Sequence, residues 1–272
     1  MLCRESRMKK IVYIVCIFLI SVSLGWAGGM KKKKLPPYEY GSVTINNYSQ
    51  QAGMQPVLFD HWLHRQYATC RLCHVDIGFG MSVGSTKIRS TDNIKGYYCG
   101  TCHNGKLSPI FKKKVFESCA KDYNRDDYKR CTRCHILERS VTREEEFERF
   151  AEKMPKERLG NGINWEKAEE LGLVKPADQL EGVSASKSKL KVQPDFSLKA
   201  KVDGMPDIIF SHKKHTVWNG CEICHPDIFV GIKKGATKYT MVDLFEGRYC
   251  GVCHDKVAFP QSDCSRCHSK QP

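Results

Sequence analysis

Cysteine and histidine recur along this chain in one fixed spacing, Cys-x-x-Cys-His, which occurs six times in 272 residues. Two thiols at this spacing can add across the two vinyl groups of one porphyrin, and the adjoining imidazole then reaches the iron. Each copy is therefore a predicted attachment site for a c-type haem, with its histidine as the proximal iron ligand. The six copies are Cys70/Cys73/His74, Cys99/Cys102/His103, Cys131/Cys134/His135, Cys221/Cys224/His225, Cys250/Cys253/His254 and Cys264/Cys267/His268.

Two other uses of paired cysteines explain the pattern less well. Zinc knuckles share the Cys-x-x-Cys spacing, but zinc binding gives no reason for a histidine directly after every second cysteine. A disulfide framework does not need those histidines either. Because the motifs take up 12 of the 15 cysteines and 6 of the 10 histidines, the sequence predicts six haems c as cofactors.

The N-terminus has the features of an export segment. Basic residues between Arg4 and Lys10 precede an apolar run from Ile11 to Trp26, and small residues follow up to Gly29. This order is typical of a secretory signal peptide, and the run is short for a membrane span, which needs about 20 residues. We predict that residues 1–29 are cleaved, with an uncleaved membrane anchor as the alternative. Either outcome places the haems outside the cytoplasm, in the periplasm, at the outer membrane or in the extracellular space.

The chain is basic, with a formal net charge of +14. A nucleic-acid partner is not expected, because the propionates of six haems would offset most of that charge. The hydrophobic content of 41% leaves few side chains for an aliphatic core, so we expect the porphyrins to fill it. The predicted fold is haem-cored and mostly irregular, with short α-helices and small two-stranded β-hairpins.

A shift of 151 residues superimposes two segments of the chain, and about 20 of roughly 51 aligned positions are then identical. The duplication predicts two tandem triheme units joined by a partly helical linker. An insertion of 18 residues, which contains Cys119, separates the second and third motifs of unit 1. The predicted boundaries are 1–29 for the signal, 30–53 for a basic irregular segment, 54–136 for unit 1, 137–204 for the linker and 205–272 for unit 2.

Two helices are predicted in the linker. The stretch from Thr142 to Glu145 fits a capping box, which would begin a helix that ends at Pro155. Asn164 would cap a second helix that runs from Trp165 to Leu171, and the two end residues of this helix would cover a haem edge. Residues 182–201 are predicted to be irregular.

Four histidines lie outside the motifs and form one His-x-x-His in each unit, at the same offset before the first motif. A lone histidine is usually a satisfied core or surface residue, but two identically placed pairs favour a shared role. Since each haem takes one ligand from its own motif, we assign the four as distal iron ligands. They are His61, His64, His212 and His215.

The pattern Phe-x-His-x-x-His, followed by three Cys-x-x-Cys-His motifs, resembles the small class III cytochromes c in their triheme, c-seven form. The resemblance covers residues 54–136 and 205–269, and such units also occur fused in tandem. It implies an electron carrier with a short hairpin, a few helices and three closely packed haems in each unit. It also implies which imidazoles share an iron: His61 with His74, His64 with His103, His212 with His225, and His215 with His254.

The third haem of each unit has no spare histidine. The tandem relatives use methionine in this region, and Met241 is the matching candidate for the haem on His268. A gap-filling core methionine is the alternative. In unit 1, Ser90 stands at the equivalent position, so the sixth ligand of the His135 haem is not predicted. Weak substitutes there are Met81 and Cys119.

Irons that hold two protein ligands exchange electrons without binding a substrate. The predicted function is therefore electron transfer in an anaerobic-type respiratory chain, without catalysis. The expected partners are other redox proteins, such as a membrane quinol-oxidising complex and periplasmic or outer-membrane cytochromes. One alternative is a multihaem reductase with an open site at the His135 haem. Another is a structural subunit of a cytochrome filament or membrane complex.

Overall fold

The computed structural model describes residues 35–120, 128–136, 141–185, 190–231 and 233–270, and Pro36–Pro272 form one compact unit. The predicted signal peptide and part of the insertion in unit 1 lie outside the described residues. Within the described ranges, no helix is both long and apolar enough to cross a membrane.

Regular structure is short and scattered through the described residues, as the sequence predicts. The strands are β1 Ser42–Ile45, β2 Val57–Asp60, β3 Leu107–Ser108, β4 Lys113–Lys114, β5 Phe196–Leu198, β6 Asp207–Phe210 and β7 His268–Lys270. The α-helices are α1 His61–Arg65, α2 Ser90–Ile94, α3 Tyr128–Cys131, α4 Val141–Glu152, α5 Trp165–Glu170, α6 His212–Asn219, α7 Met241–Phe245 and α8 Cys264–Cys267.

The 151-residue repeat is visible in the backbone. β1 pairs antiparallel with β2, and β5 pairs antiparallel with β6, so a pair of antiparallel strands precedes the first motif of each unit. Helices α1 and α6 start 151 residues apart, and so do α2 and α7. Tyr98 and Tyr249, which begin the 3-10 turns of the second motifs, both adopt positive φ angles, 47° and 51°. The prediction of two tandem units is confirmed.

The histidine of the third motif pairs with the same strand position in both units, despite the insertion in unit 1. In unit 1, His135 forms an isolated antiparallel bridge with Val57 of β2. In unit 2, His268 of β7 pairs with Ile208 of β6. Val57 and Ile208 are counterparts in the repeat. The segment between the second and third motifs of unit 1 forms a small hairpin, β3–β4. The third motif therefore keeps the same position relative to β2 that its counterpart has relative to β6.

The linker contributes to a cluster of buried apolar side chains. Phe147 of α4 and Trp165 of α5 pack there with Trp62 of unit 1 and Trp218 of unit 2. The rings of Trp62 and Phe147 meet edge to face with centroids 5.1 Å apart, a geometry that adds to the stabilisation from burial. The linker thus fills the space between the units. Leu171, however, is 60% exposed and does not join this cluster.

Three local predictions differ from the structure. Helix α4 begins at Val141, so Thr142 lies inside the helix and not at its N-cap. Strand β1 falls in the predicted irregular segment 30–53, and β5 falls in the irregular stretch 182–201. Both strands exist because a partner strand pairs with them, and single-strand patterns this short carry little signal. The cap of α5 is as predicted, because the Asn164 side chain accepts the Lys167 N–H at 3.0 Å.

Candidate haem sites

A cavity of about 2440 Å³ runs through the described residues. An ordinary small-molecule pocket holds roughly 300 to 1,000 Å³, so this space accommodates several large cofactors. Five of the six motifs line it with both cysteines and the histidine, and all four spare histidines line it too. From the third motif of unit 1, Cys134 lines the cavity, whereas Cys131 and His135 do not.

Three of the predicted imidazole pairs face each other across a gap that fits one metal ion. A metal–imidazole bond is about 2 Å long and the ring centre lies about 1 Å beyond the nitrogen, so two rings on one iron are roughly 6 to 6.5 Å apart. The ring centroids of the pairs lie 6.5, 6.2 and 6.3 Å apart, for His61 with His74, His64 with His103, and His215 with His254. These residues fit an iron between each pair.

Backbone carbonyls orient the histidines. Nine of the ten place Nδ1 within 3.1 Å of a backbone carbonyl oxygen. A carbonyl can only accept, so Nδ1 carries the proton and Nε2 is left free to bind a metal. The acceptors repeat between the units: the oxygen of Gln55 serves His135, and that of its counterpart Pro206 serves His268.

One phenylalanine positions both spare histidines of each unit. Phe59 stacks on His64 with centroids 4.2 Å apart and meets His61 edge to face at 5.0 Å. Its counterpart Phe210 repeats both contacts with the spare pair of unit 2, at 4.5 and 5.0 Å. The same ring therefore fixes the angle between the two spare imidazoles of its unit.

Two further phenylalanines were not predicted from the sequence. Phe116 packs on His103 and Phe259 packs on His254, with ring centroids 4.5 and 4.3 Å apart. They follow the second motifs at different distances along the chain, because the insertion of unit 1 intervenes. The repeat therefore does not align them, and the sequence gives no other sign of the shared role.

Burial keeps these groups uncharged. Desolvation lowers the pKa of His61 and of His64 to about 4, which holds both imidazoles in the neutral form that metals bind. Burial likewise raises the pKa of the Cys73 thiol and of the Cys253 thiol to about 12. Within the described ranges, no three His, Cys, Asp or Glu side chains converge as a ligand set for a bare metal ion.

The arrangement of paired imidazoles beside paired thiols has a counterpart among known proteins. The sequence profile described as "Cytochrome c7 and related cytochrome c" matches residues 57–136 and 208–269, together just over half of the chain. The chain belongs to the cytochrome c7 family. It is thus a multihaem c-type cytochrome of tandem c7 units, and proteins of this class carry electrons.

Two solved structures are similar in sequence to parts of this cytochrome. A c7-type three-haem cytochrome domain is 37% identical, over 30% of this chain and 99% of the domain, with a TM-score of 0.26. The C-terminal hexahaem fragment of GSU1996 is 23% identical, over 84% of this chain and 96% of the fragment, with a TM-score of 0.26. A search of curated protein sequences finds no match.

Other predicted ligands of this c7-type cytochrome are less well arranged. Among the described rings, His212 and His225 do not face each other as the other three pairs do. The His212 Nδ1 lies 3.1 Å from the Pro194 carbonyl oxygen. Met241 lines the cavity at the first position of α7 and is 41% exposed. Its sulfur therefore stays a predicted ligand of the His268 haem.

The remaining site, at His135, has no second imidazole in ring contact with it among the described residues. The Cys119 thiol is held by Asn93, whose side-chain amide lies 3.8 Å from the sulfur. Burial raises the pKa of this thiol, and the neighbouring Cys131 adds to the rise. Cys119 is thus near the third motif as a neutral thiol. Met81 lines the main cavity.

The units meet at a buried arginine that was not predicted from the sequence. Arg71, 4% exposed, bonds the buried Asp76 carboxylate at 2.9 and 3.2 Å and the Asp178 carbonyl oxygen at 2.9 Å. Its Nε also reaches Glu222 at 3.3 Å. Glu222 is the repeat counterpart of Arg71, so the first motifs of the two units lie side by side.

Proposed function

We propose that this chain carries six haems c and passes electrons between redox proteins outside the cytoplasm. The observation that carries the proposal is the set of three imidazole pairs 6.2 to 6.5 Å apart, each joining a spare histidine to a motif histidine. An iron held on both sides has no open position for a substrate, so it can exchange an electron but bind nothing.

The ligand roles follow the same proposal. The paired cysteines of the six motifs attach the haems, and the motif histidines are the proximal ligands. The distal ligands are His61, His64, His212 and His215, with Met241 on the haem of His268. The partners would be a membrane quinol-oxidising complex and other periplasmic or outer-membrane cytochromes, met through weak docking steered by charge.

Two measurements on the exported protein test the proposal. Intact mass should show six haems attached and a chain that starts near residue 30. Electron paramagnetic resonance of the oxidised protein should show low-spin iron for at least five haems. A chain with fewer haems, or with mostly high-spin iron, would contradict the proposal.

The His135 haem needs its own experiment, because a reductase would require an open iron there. A high-spin signal that shifts with nitrite or carbon monoxide and disappears in His135→Ala would favour the reductase. Six low-spin signals would leave electron transfer as the only function of the irons. Leu171→Ala is the control for His135→Ala, because Leu171 is exposed and does not line the cavity.

A further inference from the structure

The segment that follows the second motif of unit 2 packs on unit 1. The Tyr40 hydroxyl donates to the Ala258 carbonyl oxygen at 2.6 Å, and Arg65 Nη1 donates to the Val257 carbonyl oxygen at 3.1 Å. Val257 and Ala258 donate their own N–H groups to the Cys253 carbonyl oxygen at 2.9 and 3.0 Å. This segment therefore brings the second motif of unit 2 next to Arg65.

Arg65 lies between an attachment cysteine of each unit. It is the last residue of α1 and lines the main cavity. The thiols that interact electrostatically with its guanidinium are Cys70, in the first motif of unit 1, and Cys253, in the second motif of unit 2. The positive charge of Arg65 also helps to lower the pKa of His61. The cation is thus close to two predicted haem sites, one in each unit.

Two tryptophans hold the guanidinium at this position. Its central carbon lies 4.6 Å from the ring centre of Trp165 and 4.6 Å from that of Trp218. Stacking on aromatic rings suits the planar guanidinium. Trp165 belongs to the linker and Trp218 to unit 2, so all three parts of the chain fix the place of this charge.

The charge of Arg65 is not balanced by a carboxylate. Among the described residues, no carboxylate favours its charged form, and its Nε is buried without a hydrogen-bond partner. Arginine keeps its proton even where water is excluded. The two neighbouring thiols become neutral thioethers when haem is attached, so they leave the positive charge in place. In surroundings of low dielectric constant such a charge acts strongly on groups near it.

We propose that Arg65 raises the reduction potentials of two haems, the one on His74 in unit 1 and the one on His254 in unit 2. The inference rests on the proposed function, which supplies the haems. Reduction lowers the charge of a haem by one unit, so a nearby unpaired cation stabilises the reduced form. The repeat counterpart of Arg65 is Thr216, which carries no charge. Each of the two haems therefore differs from its own counterpart, and together they favour an electron where the units meet.

The test follows the haem methyl signals by NMR during a redox titration, which gives the potential of each haem. Arg65→Gln should lower the equilibrium constant for reduction about tenfold at two haems, one in each unit, which is about 59 mV for one electron. Arg65→Lys keeps the charge and should retain most of both potentials. The control is Arg89→Gln, because Arg89 stacks on the ring of Tyr48 at 4.7 Å but is exposed and does not line the cavity. It should leave all potentials unchanged.

Haem counting by intact mass separates the possible failures. Wild-type protein without six haems would contradict the proposed function itself. With six haems attached, unchanged potentials in Arg65→Gln would overturn the role of Arg65, and so would a fall confined to one unit. Equal falls in Arg65→Gln and Arg65→Lys would also overturn it, since the cause would then be lost packing and not lost charge. If Arg65→Gln does not attach six haems, Arg65→Met replaces it, because it removes the charge but keeps a long side chain between the indoles.

Discussion

The first candidate haem site of unit 1 and that of unit 2 come from the same repeat, but they differ in the pairing of their histidines and in the burial of their cysteines. In unit 1 the rings of His61 and His74 are nearly parallel, 8° apart, and Cys70 is partly buried against the linker cluster. In unit 2 the counterpart cysteine, Cys221, is exposed. Cys70 packs against the cluster that the linker helices α4 and α5 help to form, whereas Cys221 is exposed, so the same motif has two different environments.

The largest expected effect comes from removing each of these haems in turn. The double variants Cys70→Ala/Cys73→Ala and Cys221→Ala/Cys224→Ala should each lose the mass of one haem. Chemical denaturation should show a clearly larger loss of stability for the first variant, because its haem lies beside the linker cluster. Equal losses would mean that the linker does not distinguish the two sites.

The buried Arg71, where the two units meet, should contribute more to stability than its repeat counterpart Glu222. Arg71→Ala leaves the Asp76 carboxylate, 4% exposed, without its cationic partner and with only the Ser184 hydroxyl as a donor at 2.6 Å, so we expect a loss of about 3 kcal/mol in the free energy of unfolding. Glu222→Ala removes a side chain that is 34% exposed and should cost less than about 1 kcal/mol. Urea denaturation of the two variants measures both, and similar losses would contradict the asymmetry.

The predicted third haems of the two units can be compared by absorbance spectroscopy, which detects a methionine ligand on iron. Met241 and Ser90 both occupy the first position of equivalent helices, α7 and α2. Met241→Ala should abolish the far-red absorbance band of iron–thioether ligation, and Ser90→Met should add a second one in the oxidised protein. Met54→Ala is the control, because Met54 does not line the cavity, and it should leave the band unchanged. A band that persists in Met241→Ala would exclude its sulfur as the ligand.

A smaller effect is expected at the cap of helix α5, which carries Trp165 into the linker cluster. Asn164→Ala removes the side-chain acceptor of the Lys167 N–H and should lower the free energy of unfolding by about 1 kcal/mol. Asn164→Asp keeps an acceptor and should retain most of the stability. Thermal denaturation of both variants checks this, and a loss as large as that of Arg71→Ala would be unexpected.

The sequence predicted what depends on local chemistry. Covalent attachment needs fixed spacings, so the motifs, the repeat and the spare pairs such as His61 and His64 can be found without a structure. The ligand roles themselves stay predictions. What the sequence could not supply depends on contacts between distant segments. Arg71 looks like an ordinary surface cation in a basic chain, and only the packing of the linker and unit 2 around it shows that it is buried where the units meet.

The contact between Arg71 and Glu222 has a consequence for the history of the repeat. The two residues occupy the same position in the two units, and the Arg71 Nε lies 3.3 Å from the Glu222 carboxylate. Two identical copies would have brought like charges together here, arginine on arginine or glutamate on glutamate, and like charges in contact repel each other. This contact therefore requires that the two copies differ at this position, so sequence divergence after the duplication was needed to form it.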